Sequence, residues 1–517
     1  MGMLAVSNAD LEKVLPDYIV RQRWYRAKAR TISGLQVQDV IPLEEGSHIL
    51  ILRVDYREGD CDNYLLPVTK ARTEDEIVSG RLYGALAQED FRRRLLNAIA
   101  CDRKFRGEHG EFAASKTAAF DRACDPSEQI ESVVSRAEQS NSSIIFKNRF
   151  ILKVFRKLER GINPDLEIGR FLTERGFRYT PAVLGELEYR PTQGEAMEAG
   201  ILQAFVRNEG DAWKYTLESL QPFFVRALQS GVLPEVPHAH PLELCSEEVA
   251  ALARQTIGEY LESARLLGVR TAQMHSALAD PDAASDFRPE QVTREYAAHL
   301  YEEMLQQTEI TFDLVRDKQN MLSGEAAEDA RALIAAEAAV RQRFSNLRDK
   351  PVQALRIRHH GDYHLGQVLW TGEDFVIIDF EGEPARPLAH RRIKTLAMRD
   401  VAGMIRSFSY AGFAALFGQV EGVPAGPEHR KRVETWAGFW TAWVSAAYLK
   451  GYFETAATAP FLGSDREEHR VLFDAFVLQK ALYEVAYELN NRPDWVQIPL
   501  RGILSLIGAD ARRTQFA

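Results

Sequence analysis

Apolar residues recur along the chain with two different spacings, which divide it into a strand-rich first part and a helix-rich second part. From about residue 32 to 70 they alternate with polar residues, as in the stretch from Ile49 to Tyr56, which is typical of β-strands. Beyond about residue 210 the spacing becomes helical, as at Ile257, Leu261 and Leu267. We therefore expect an α+β protein, with its sheets in the first part.

Further elements are predicted within the first part. Leu11, Val14, Leu15, Tyr18 and Ile19 keep the spacing of one helix face, so a helix is expected before the first strands. Residues 74–105, with their basic runs, indicate a second helix. A second strand-rich block is predicted from about 111 to 155, and a helix is expected after Asn163-Pro-Asp.

Residues 359–383 interrupt the helical part with a set of polar residues at informative spacing. Asp362 and Gln367 are five apart, and Asp379 follows the apolar run Phe375-Val-Ile-Ile. A kinase-like phosphotransferase needs one carboxylate to receive the proton of the acceptor hydroxyl. It also needs a carbonyl side chain and a second carboxylate to hold Mg²⁺ on the phosphates. We therefore predict that Asp362 is the catalytic base and that Gln367 and Asp379 are metal ligands. Glu381 is expected to reach a second metal or to orient Asp379.

A kinase also needs a cation on the nucleotide phosphates and an acid to hold that cation. Lys153 lies within a predicted strand and Glu167 near the start of the next helix, the order found in kinases. The turn before that strand pair contains Ser140, Asn141 and Ser142 and takes the place of a glycine-rich phosphate loop. A plain hairpin turn is the alternative interpretation. Strands followed by helices around one catalytic hairpin predict a two-lobed, protein-kinase-like α+β fold.

Two other motifs are weighed and rejected. The stretch from Gly110 to Thr117 resembles a P-loop, but it is predicted to be a strand and turn, whereas a P-loop lysine must open a helix. The histidines around Asp362 could form a zinc site for hydrolysis. Gly361 would break the helix needed to place His360 and His364 on one face, so His360 is expected to support the loop backbone instead.

Composition narrows the range of partners and locations. The formal net charge of −10 argues against nucleic acid or an acidic membrane as a partner. No apolar run approaches the roughly 18 residues that a membrane span needs. The first ten residues carry no basic stretch before an apolar core, so no secretory signal is predicted. Four widely spaced cysteines are expected to be reduced thiols, and a cytoplasmic location follows.

Several longer motifs together resemble those of bacterial maltokinases. They are His360-Gly-Asp-Tyr-His-Leu-Gly-Gln, Ile378-Asp-Phe-Glu-Gly-Glu-Pro, the Arg399-Asp-Val-Ala-Gly-Met stretch, Arg23-Trp-Tyr-Arg, Glu138-Gln-Ser-Asn-Ser, Asn163-Pro-Asp-Leu-Glu and Leu267-Gly-Val-Arg-Thr-Ala-Gln-Met-His. The resemblance covers nearly the whole chain. Where the family's cap motif usually has Phe and Gly or Ala, this chain has Tyr25 and Arg26.

The resemblance implies a cap domain at 1–108, a kinase N-lobe at 109–208 and a helical C-lobe at 209–517. It further implies transfer of the ATP γ-phosphoryl group, with Mg²⁺, to the anomeric hydroxyl of maltose. The product, maltose 1-phosphate, would feed α-glucan (glycogen) synthesis, with a trehalose synthase as the implied partner. On this sequence the family's roles fall on Asp362 as base, on Gln367 and Asp379 as Mg²⁺ ligands, and on Lys153 with Glu167 as the phosphate-binding pair.

Two other functions stay open at this point. Related glucosamine kinases share the architecture and the His-Gly-Asp loop and differ in the sugar pocket. A kinase-like regulatory partner without catalysis, for example of a trehalose synthase, is the other alternative. For the sugar pocket we predict His364 and, among the aromatic residues of the C-terminal helices, Trp443 and Tyr448, because aromatic faces suit sugar C–H surfaces. Such aromatic stripes are more often part of a core.

Overall fold

The structure is a computed structural model that describes residues 6–123, 130–135, 141–349, 352–384, 386–423 and 427–508. Its α-helices are α1 (Asn8–Arg21), α2 (Glu89–Ala100), α3 (Phe120–Ala123), α4 (Pro164–Glu174), α5 (Ala212–Gln229), α6 (Pro241–Leu244), α7 (Ala251–Ile257), α8 (Tyr260–Leu278), α9 (Arg294–Lys318), α10 (Gly324–Ala335), α11 (Glu337–Asp349), α12 (Leu388–Arg391), α13 (Met398–Phe413), α14 (Pro427–Thr455), α15 (Arg466–Asn491) and α16 (Gln497–Leu506).

The β-strands are shorter and lie mostly in the first part of the chain, as the sequence predicts. They are β1 (Ile32–Pro42), β2 (Ser47–Tyr56), β3 (Asp62–Thr69), β4 (Glu76–Val78), β5 (Leu82–Gly84), β6 (Lys104–Arg106), β7 (Gly110–Lys116), β8 (Ser132–Val134), β9 (Asn141–Phe146), β10 (Phe150–Phe155), β11 (Lys157–Leu158), β12 (Val183–Pro191), β13 (Met197–Ala204), β14 (Gly210–Asp211), β15 (Glu290–Gln291), β16 (Leu355–Ile357), β17 (Val368–Trp370), β18 (Phe375–Ile377) and β19 (Thr395–Leu396). This mixture of antiparallel sheets and helices confirms the α+β fold class.

The chain forms two compact units, and residues 1–207 together with 384–392 make up the first. One antiparallel sheet has the strand order β1-β2-β3-β5-β4, with β11 paired to β3. Helix α1 covers it and buries Leu11, Leu15 and Ile19 completely, which confirms these three residues of the predicted face, whereas Val14 is exposed. The other sheet runs β6-β7-β12-β13-β10-β9-β8, so β10 is an internal strand, paired with both β9 and β13.

The predicted helix over 74–105 is wrong in its first half. Helix α2 begins only at Glu89, whereas residues 76–84 form the hairpin of β4 and β5. Gly80 lies in this turn with φ +66°, a conformation that favours glycine. Gly84 is also constrained, since a Cβ there would lie 1.9 Å from a carboxylate oxygen of Asp75. By contrast, Gly110–Lys116 is the expected strand, so the P-loop interpretation stays rejected.

Residues 208–383 and 393–517 make up the second unit, which is mostly helical. Helices α8 and α14 pack so closely that a Cβ on Gly268 would lie 2.0 Å from the Tyr448 carbonyl oxygen. The predicted hairpin is present as β17 and β18, and β14 pairs with β17 to complete a small antiparallel sheet. None of the helices that the structure describes is long and apolar enough to cross a membrane.

Candidate active site

The His-Gly-Asp loop (residues 359–367) precedes strand β17 and is shaped by glycine. Gly361 has φ +89°, in the region that side chains rarely adopt. A Cβ there would also lie 3.2 Å from the Cα of Gly382, in the turn that follows β18 (residues 379–383, here called the Asp379 turn). Glycine at 361 therefore brings the loop and the turn into close contact, which places their carboxylates in one region of the second unit.

Asp400, in the first turn of α13, anchors the His-Gly-Asp loop. Its carboxylate accepts hydrogen bonds from the backbone N–H of His360 at 2.8 Å and of Gly361 at 3.0 Å. It also lies 3.0 Å from Nε2 of the fully buried His275. Burial by itself raises the pKa of Asp400, but the hydrogen bond with His275 and the nearby histidines outweigh it, and the pKa is held well below its usual range. Asp400 therefore ties α13 to the His-Gly-Asp loop.

His360 links the loop to the end of β18. Its Nε2 lies 2.9 Å from the carbonyl oxygen of Ile378, so Nε2 carries the proton and donates. Nδ1 is then the acceptor, and the backbone N–H of Asp362 points to it at 3.4 Å. His360 thus supports the backbone on both sides of the site, as expected, and is not a candidate metal ligand.

Asp362 is partly buried and paired with a lysine from a distant helix. Nζ of Lys480, on α15, donates to Asp362 Oδ1 at 3.1 Å. Burial by itself raises the pKa of Asp362, but the Lys480 charge and then His364 more than offset it, so the net pKa is lowered. A carboxylate ionised at neutral pH can accept a hydrogen bond from a hydroxyl and then its proton.

Glu383, at the end of the Asp379 turn, extends this charged network. Its carboxylate lies 3.5 Å from Lys480 Nζ and 3.9 Å from the guanidinium of Arg399. Arg399 in turn lies 3.9 Å from Glu303 of α9. Glu383 is 9% exposed, and a carboxylate so deeply buried requires cationic partners.

Two of the predicted metal ligands, Asp379 and Glu381, lie close together in the second unit. A carboxylate oxygen of Asp379 and one of Glu381 lie within 4.8 Å of each other. Asp379 has φ +66°, a left-handed conformation that is uncommon outside glycine and that concentrates at functional sites. Gln367 is joined to this turn by the backbone, since the Ile378 N–H donates to its carbonyl at 3.0 Å. Carboxylate and amide oxygens are donors that suit Mg²⁺, so the residues present fit that ion.

Lys153, in the first unit, contacts an acid that the sequence pattern did not single out. Lys153 Nζ lies 3.5 Å from a carboxylate oxygen of Asp165, and both side chains are largely buried. Glu167, two residues further along α4, accepts two hydrogen bonds from Arg392, at 2.9 and 2.7 Å. The contact of Lys153 with Asp165 is a finding of the structure, and the pairing of Lys153 with Glu167 stays a prediction. Asn163 caps α4, and its side-chain oxygen accepts a hydrogen bond from the backbone N–H of Asp165 at 2.8 Å, which fixes the Asp165 backbone. The residue that binds Glu167, Arg392, belongs to the segment 384–392 of the first unit.

Of the predicted phosphate turn, Ser140 lies outside the described residues. Asn141 begins β9, paired with Phe155, and Ser142 pairs with Val154. The Ser142 hydroxyl accepts a hydrogen bond from the buried Arg156 at 2.8 Å. Burial lowers the pKa of Arg156 to about 10. The guanidinium of Arg156 also lies over the ring of Trp24, 5.1 Å from its centroid.

The predicted aromatic wall of the sugar pocket is wrong. Tyr448 has no exposed surface and Trp443 is 6% exposed, because α14 is buried among α5, α8 and α13. The ring of Tyr448 packs edge-on against Phe408 of α13. These side chains belong to the core and cannot line an open sugar pocket. His364, by contrast, is partly exposed, and its Nε2 lies 3.9 Å from Asp362 Oδ2.

Sequence reasoning missed Lys480 and Asp165. Lys480 lies 118 residues beyond Asp362 on a long helix, and nothing in its local pattern marks it. Asp165 is separated from Glu167 by one residue, so spacing alone favours neither. Together the second-unit residues provide an ionised carboxylate, a cation beside it and a group of oxygen donors, which is the chemistry that phosphoryl transfer requires.

Parts of the chain are similar to known proteins. Residues 18–100 match the model of the maltokinase N-terminal cap domain. The glucosamine kinase of Mycolicibacterium smegmatis is 24% identical over 414 residues, covering 77% of this chain and 84% of that protein. The glucosamine kinase of Streptacidiphilus jiangxiensis is 26% identical over 275 residues, and the alignment spans 50% of this chain and about half (53%) of that protein.

The fold is shared along almost the whole chain with a solved structure. A glucosamine kinase in complex with glucosamine, ADP and inorganic phosphate superposes with a TM-score of 0.64 at 18% identity, covering 98% of this chain and 100% of that one. At this identity the likeness establishes the fold, which is the expected kinase-like one. The cap match and this fold together support the resemblance to the maltokinase family: residues 18–100 are similar to the cap domain of that family, and the chain has a kinase-like fold.

Proposed function

We propose that the protein transfers the γ-phosphoryl group of ATP to the anomeric hydroxyl of maltose, giving maltose 1-phosphate. The ionised Asp362 beside Lys480, next to the oxygen donors of the Asp379 turn, is the observation that supports phosphoryl transfer. The match of residues 18–100 to the maltokinase cap model supports maltose as the acceptor. The product would enter α-glucan synthesis, with a trehalose synthase as the class of partner that the family resemblance implies.

In this proposal Asp362 orients the acceptor hydroxyl and takes its proton as the new oxygen–phosphorus bond forms, while the bond from the γ-phosphorus to the bridging oxygen breaks and ADP leaves. Phosphoryl transfer depends mainly on such positioning and on neutralising charge. Asp400 and His360 hold the loop backbone, so Asp362 is presented in one orientation. Lys480 keeps the carboxylate ionised, which is the state that can accept a proton.

The remaining roles concern the nucleotide. Gln367, Asp379 and Glu381 would hold Mg²⁺, which neutralises charge on the phosphate oxygens when it is bound. Lys153 would bind a phosphate oxygen, and Asp165 would orient its ammonium group. Ser142 contributes a hydroxyl near the start of β9, held by Arg156.

Glucosamine is the second candidate acceptor. It is favoured by the two curated relatives and by the superposed structure, all of which are glucosamine kinases. Phosphorylation of either sugar uses the same base, metal ligands and phosphate-binding lysine. The two candidates therefore differ only in what the acceptor site selects.

The test is ADP release from Mg-ATP in the presence of maltose, glucosamine, glucose or water. We expect maltose to give the fastest turnover. Asp362→Asn should retain ATP binding and lose turnover by on the order of a hundredfold or more, because the amide cannot accept the proton. Asp313→Asn, on the exposed face of α9, is a matched control that should keep full activity.

Each outcome identifies a different function. Fast turnover with glucosamine and none with maltose would identify the protein as a glucosamine kinase and leave the proposed roles of the site residues unchanged. Near-wild-type turnover in Asp362→Asn would reject Asp362 as the base. ADP release that no sugar stimulates would reject the sugar kinase proposal and favour a regulatory role.

A further inference from the structure

Lys480 is a partly buried cation at the centre of the charged network around Asp362. Its Nζ lies 3.1 Å from Asp362 Oδ1 and 3.5 Å from a carboxylate oxygen of Glu383. The ammonium also lies over the ring of Tyr483, 4.7 Å from its centroid, and the side chain is 19% exposed. Several favourable contacts therefore fix the position of this charge.

Any acceptor that uses Asp362 must come close to this charge. A hydroxyl that donates its proton to Asp362 Oδ1 lies about 2.6–3.2 Å from that oxygen, and hence within roughly 6 Å of Lys480 Nζ. The ammonium of an amino sugar is on another carbon of the same small ring, so it also lies near Lys480. In a partly buried site two like charges this close repel, whereas a neutral hydroxyl in place of the ammonium experiences no such penalty. The charge of Lys480 must therefore contribute to the choice of acceptor.

Three acids close to Lys480, among the residues that the structure describes, are already paired with protein cations. Asp362 and Glu383 both contact Lys480, and Glu383 also lies near Arg399. One turn further along α15, Glu484 accepts two hydrogen bonds from the buried Arg406. A sugar ammonium would have to displace Lys480 to gain a carboxylate partner.

We propose that Lys480 is a specificity-determining residue that selects an uncharged sugar over an amino sugar. This inference rests on the proposed function, because it takes Asp362 as the group that receives the acceptor hydroxyl. Lys480 repels the ammonium of an amino sugar and occupies the two carboxylates that would stabilise it. Specificity then arises from an unfavourable interaction with the wrong substrate as much as from favourable contacts with the right one.

The experiment compares maltose with glucosamine in the wild type, Lys480→Gln and Lys480→Arg, at about pH 6.5, where the sugar amine is mostly protonated. The first measurement is the ratio of kcat/KM for maltose to that for glucosamine. A ratio cancels any loss of turnover that both sugars share, including the effect of Lys480 on Asp362. We expect Lys480→Gln to lower this ratio on the order of tenfold or more. Lys480→Arg, which keeps the charge, should stay near the wild-type ratio.

The second measurement does not depend on turnover. Calorimetric binding of glucosamine is compared with that of N-acetylglucosamine, which has a neutral group at the same carbon. Lys480→Gln should bind glucosamine more tightly, on the order of tenfold, and N-acetylglucosamine about equally. Arg470→Gln removes a charge from the exposed start of α15 and should change neither measurement.

The two measurements separate this inference from the proposed function. If maltose is phosphorylated and Lys480→Gln leaves both the ratio and glucosamine binding unchanged, the role of Lys480 is overturned while the activity stands. A wild type that prefers glucosamine overturns both. If no sugar is phosphorylated, a selective gain in glucosamine binding by Lys480→Gln supports the role of Lys480, and equal binding overturns it.

Discussion

The His-Gly-Asp loop and helix α14 both contain residues that the sequence predicts to be functional, but these residues have different surroundings in the structure. In the loop, backbone N–H groups and side chains are held by polar contacts, as between Asp400 and the amides of His360 and Gly361. On α14, Trp436, Trp440 and Tyr448 have no exposed surface. Polar groups held by fixed donors indicate a site, whereas aromatic residues on every side of a helix indicate a core.

The reason lies in what each pattern requires of its surroundings. A buried polar loop is stable only if its hydrogen-bonding groups find partners, so its sequence specifies contacts. A helix that is apolar all round has no face to offer solvent and must be enclosed. Aromatic side chains on such a helix are therefore weak evidence for a sugar site, although their chemistry would suit one.

Among the substitutions that test this comparison, Trp443→Ala should have the largest effect, and it should lower the stability of the fold. Removal of a buried tryptophan side chain typically costs about 3–5 kcal/mol, through lost burial and the cavity that remains. We expect this loss in the free energy of unfolding measured by urea titration. The KM for maltose of the folded variant should stay within about twofold of wild type.

Tyr448→Phe is the conservative variant to compare with Trp443→Ala, since it removes a hydroxyl and keeps the ring. A KM for maltose that rises severalfold in Tyr448→Phe, with unchanged stability, would place Tyr448 at the sugar and contradict the assignment of α14 to the core.

Asp400→Asn should disturb the loop through both stability and turnover. The amide loses the charge that strengthens the bonds to the two loop N–H groups and to His275, each worth about 1.5–3 kcal/mol when charged. We expect the free energy of unfolding to fall by about 2–3 kcal/mol. Turnover should fall about tenfold, because Asp362 loses its fixed position.

The KM for ATP should be nearly unchanged in Asp400→Asn, and this separates loss of loop geometry from general damage. Turnover equal to wild type at a reduced stability would show that the loop does not need this anchor for catalysis.

His359 provides a smaller effect that depends on pH. It is buried at the base of the loop, and burial lowers its pKa to about 3 despite the opposing charge of Asp400. Between about pH 6.5 and 3 the unfolded chain binds a proton at this residue that the folded chain does not. The free energy of unfolding should therefore decrease on acidification through this window, by up to about 1.4 kcal/mol per pH unit from this group.

Urea titrations of wild type and His359→Gln at several pH values between 5 and 7 would measure this contribution. The variant should show the shallower dependence on pH. Equal slopes in the two proteins would contradict the assignment of His359 as a neutral buried group.

Much of the fold follows from the sequence, because its patterns are local. The apolar residues of α1 and α8 recur at helical spacing along each helix, and β2 and β3 are long runs rich in apolar residues. The hairpin of β4 and β5 was not predicted, since each strand has only three residues and the turn depends on Gly80. Short strands of this kind are defined by their partners in the sheet, which a local pattern does not contain.

The candidate site divides in the same way. Asp362, Gln367 and Asp379 lie within one short stretch, and their spacing predicts the chemistry. Lys480 and the pairing of Lys153 with Asp165 depend on contacts between distant segments or on the choice between neighbouring acids. Such contacts are determined by tertiary packing, which a local sequence pattern does not contain.

Residues 384–392 belong to the first unit although they follow most of the second unit in the sequence, so a single break in the chain cannot separate the two units. Arg391 lies 3.3 Å from Glu159, and Arg392 holds Glu167, so the first unit depends on residues encoded almost two hundred positions after Arg207. Residues 1–207 expressed alone would leave both glutamates without these partners. Splitting the gene at that junction, or exchanging the first 207 residues for those of a relative, would therefore have to carry the 384–392 segment as well.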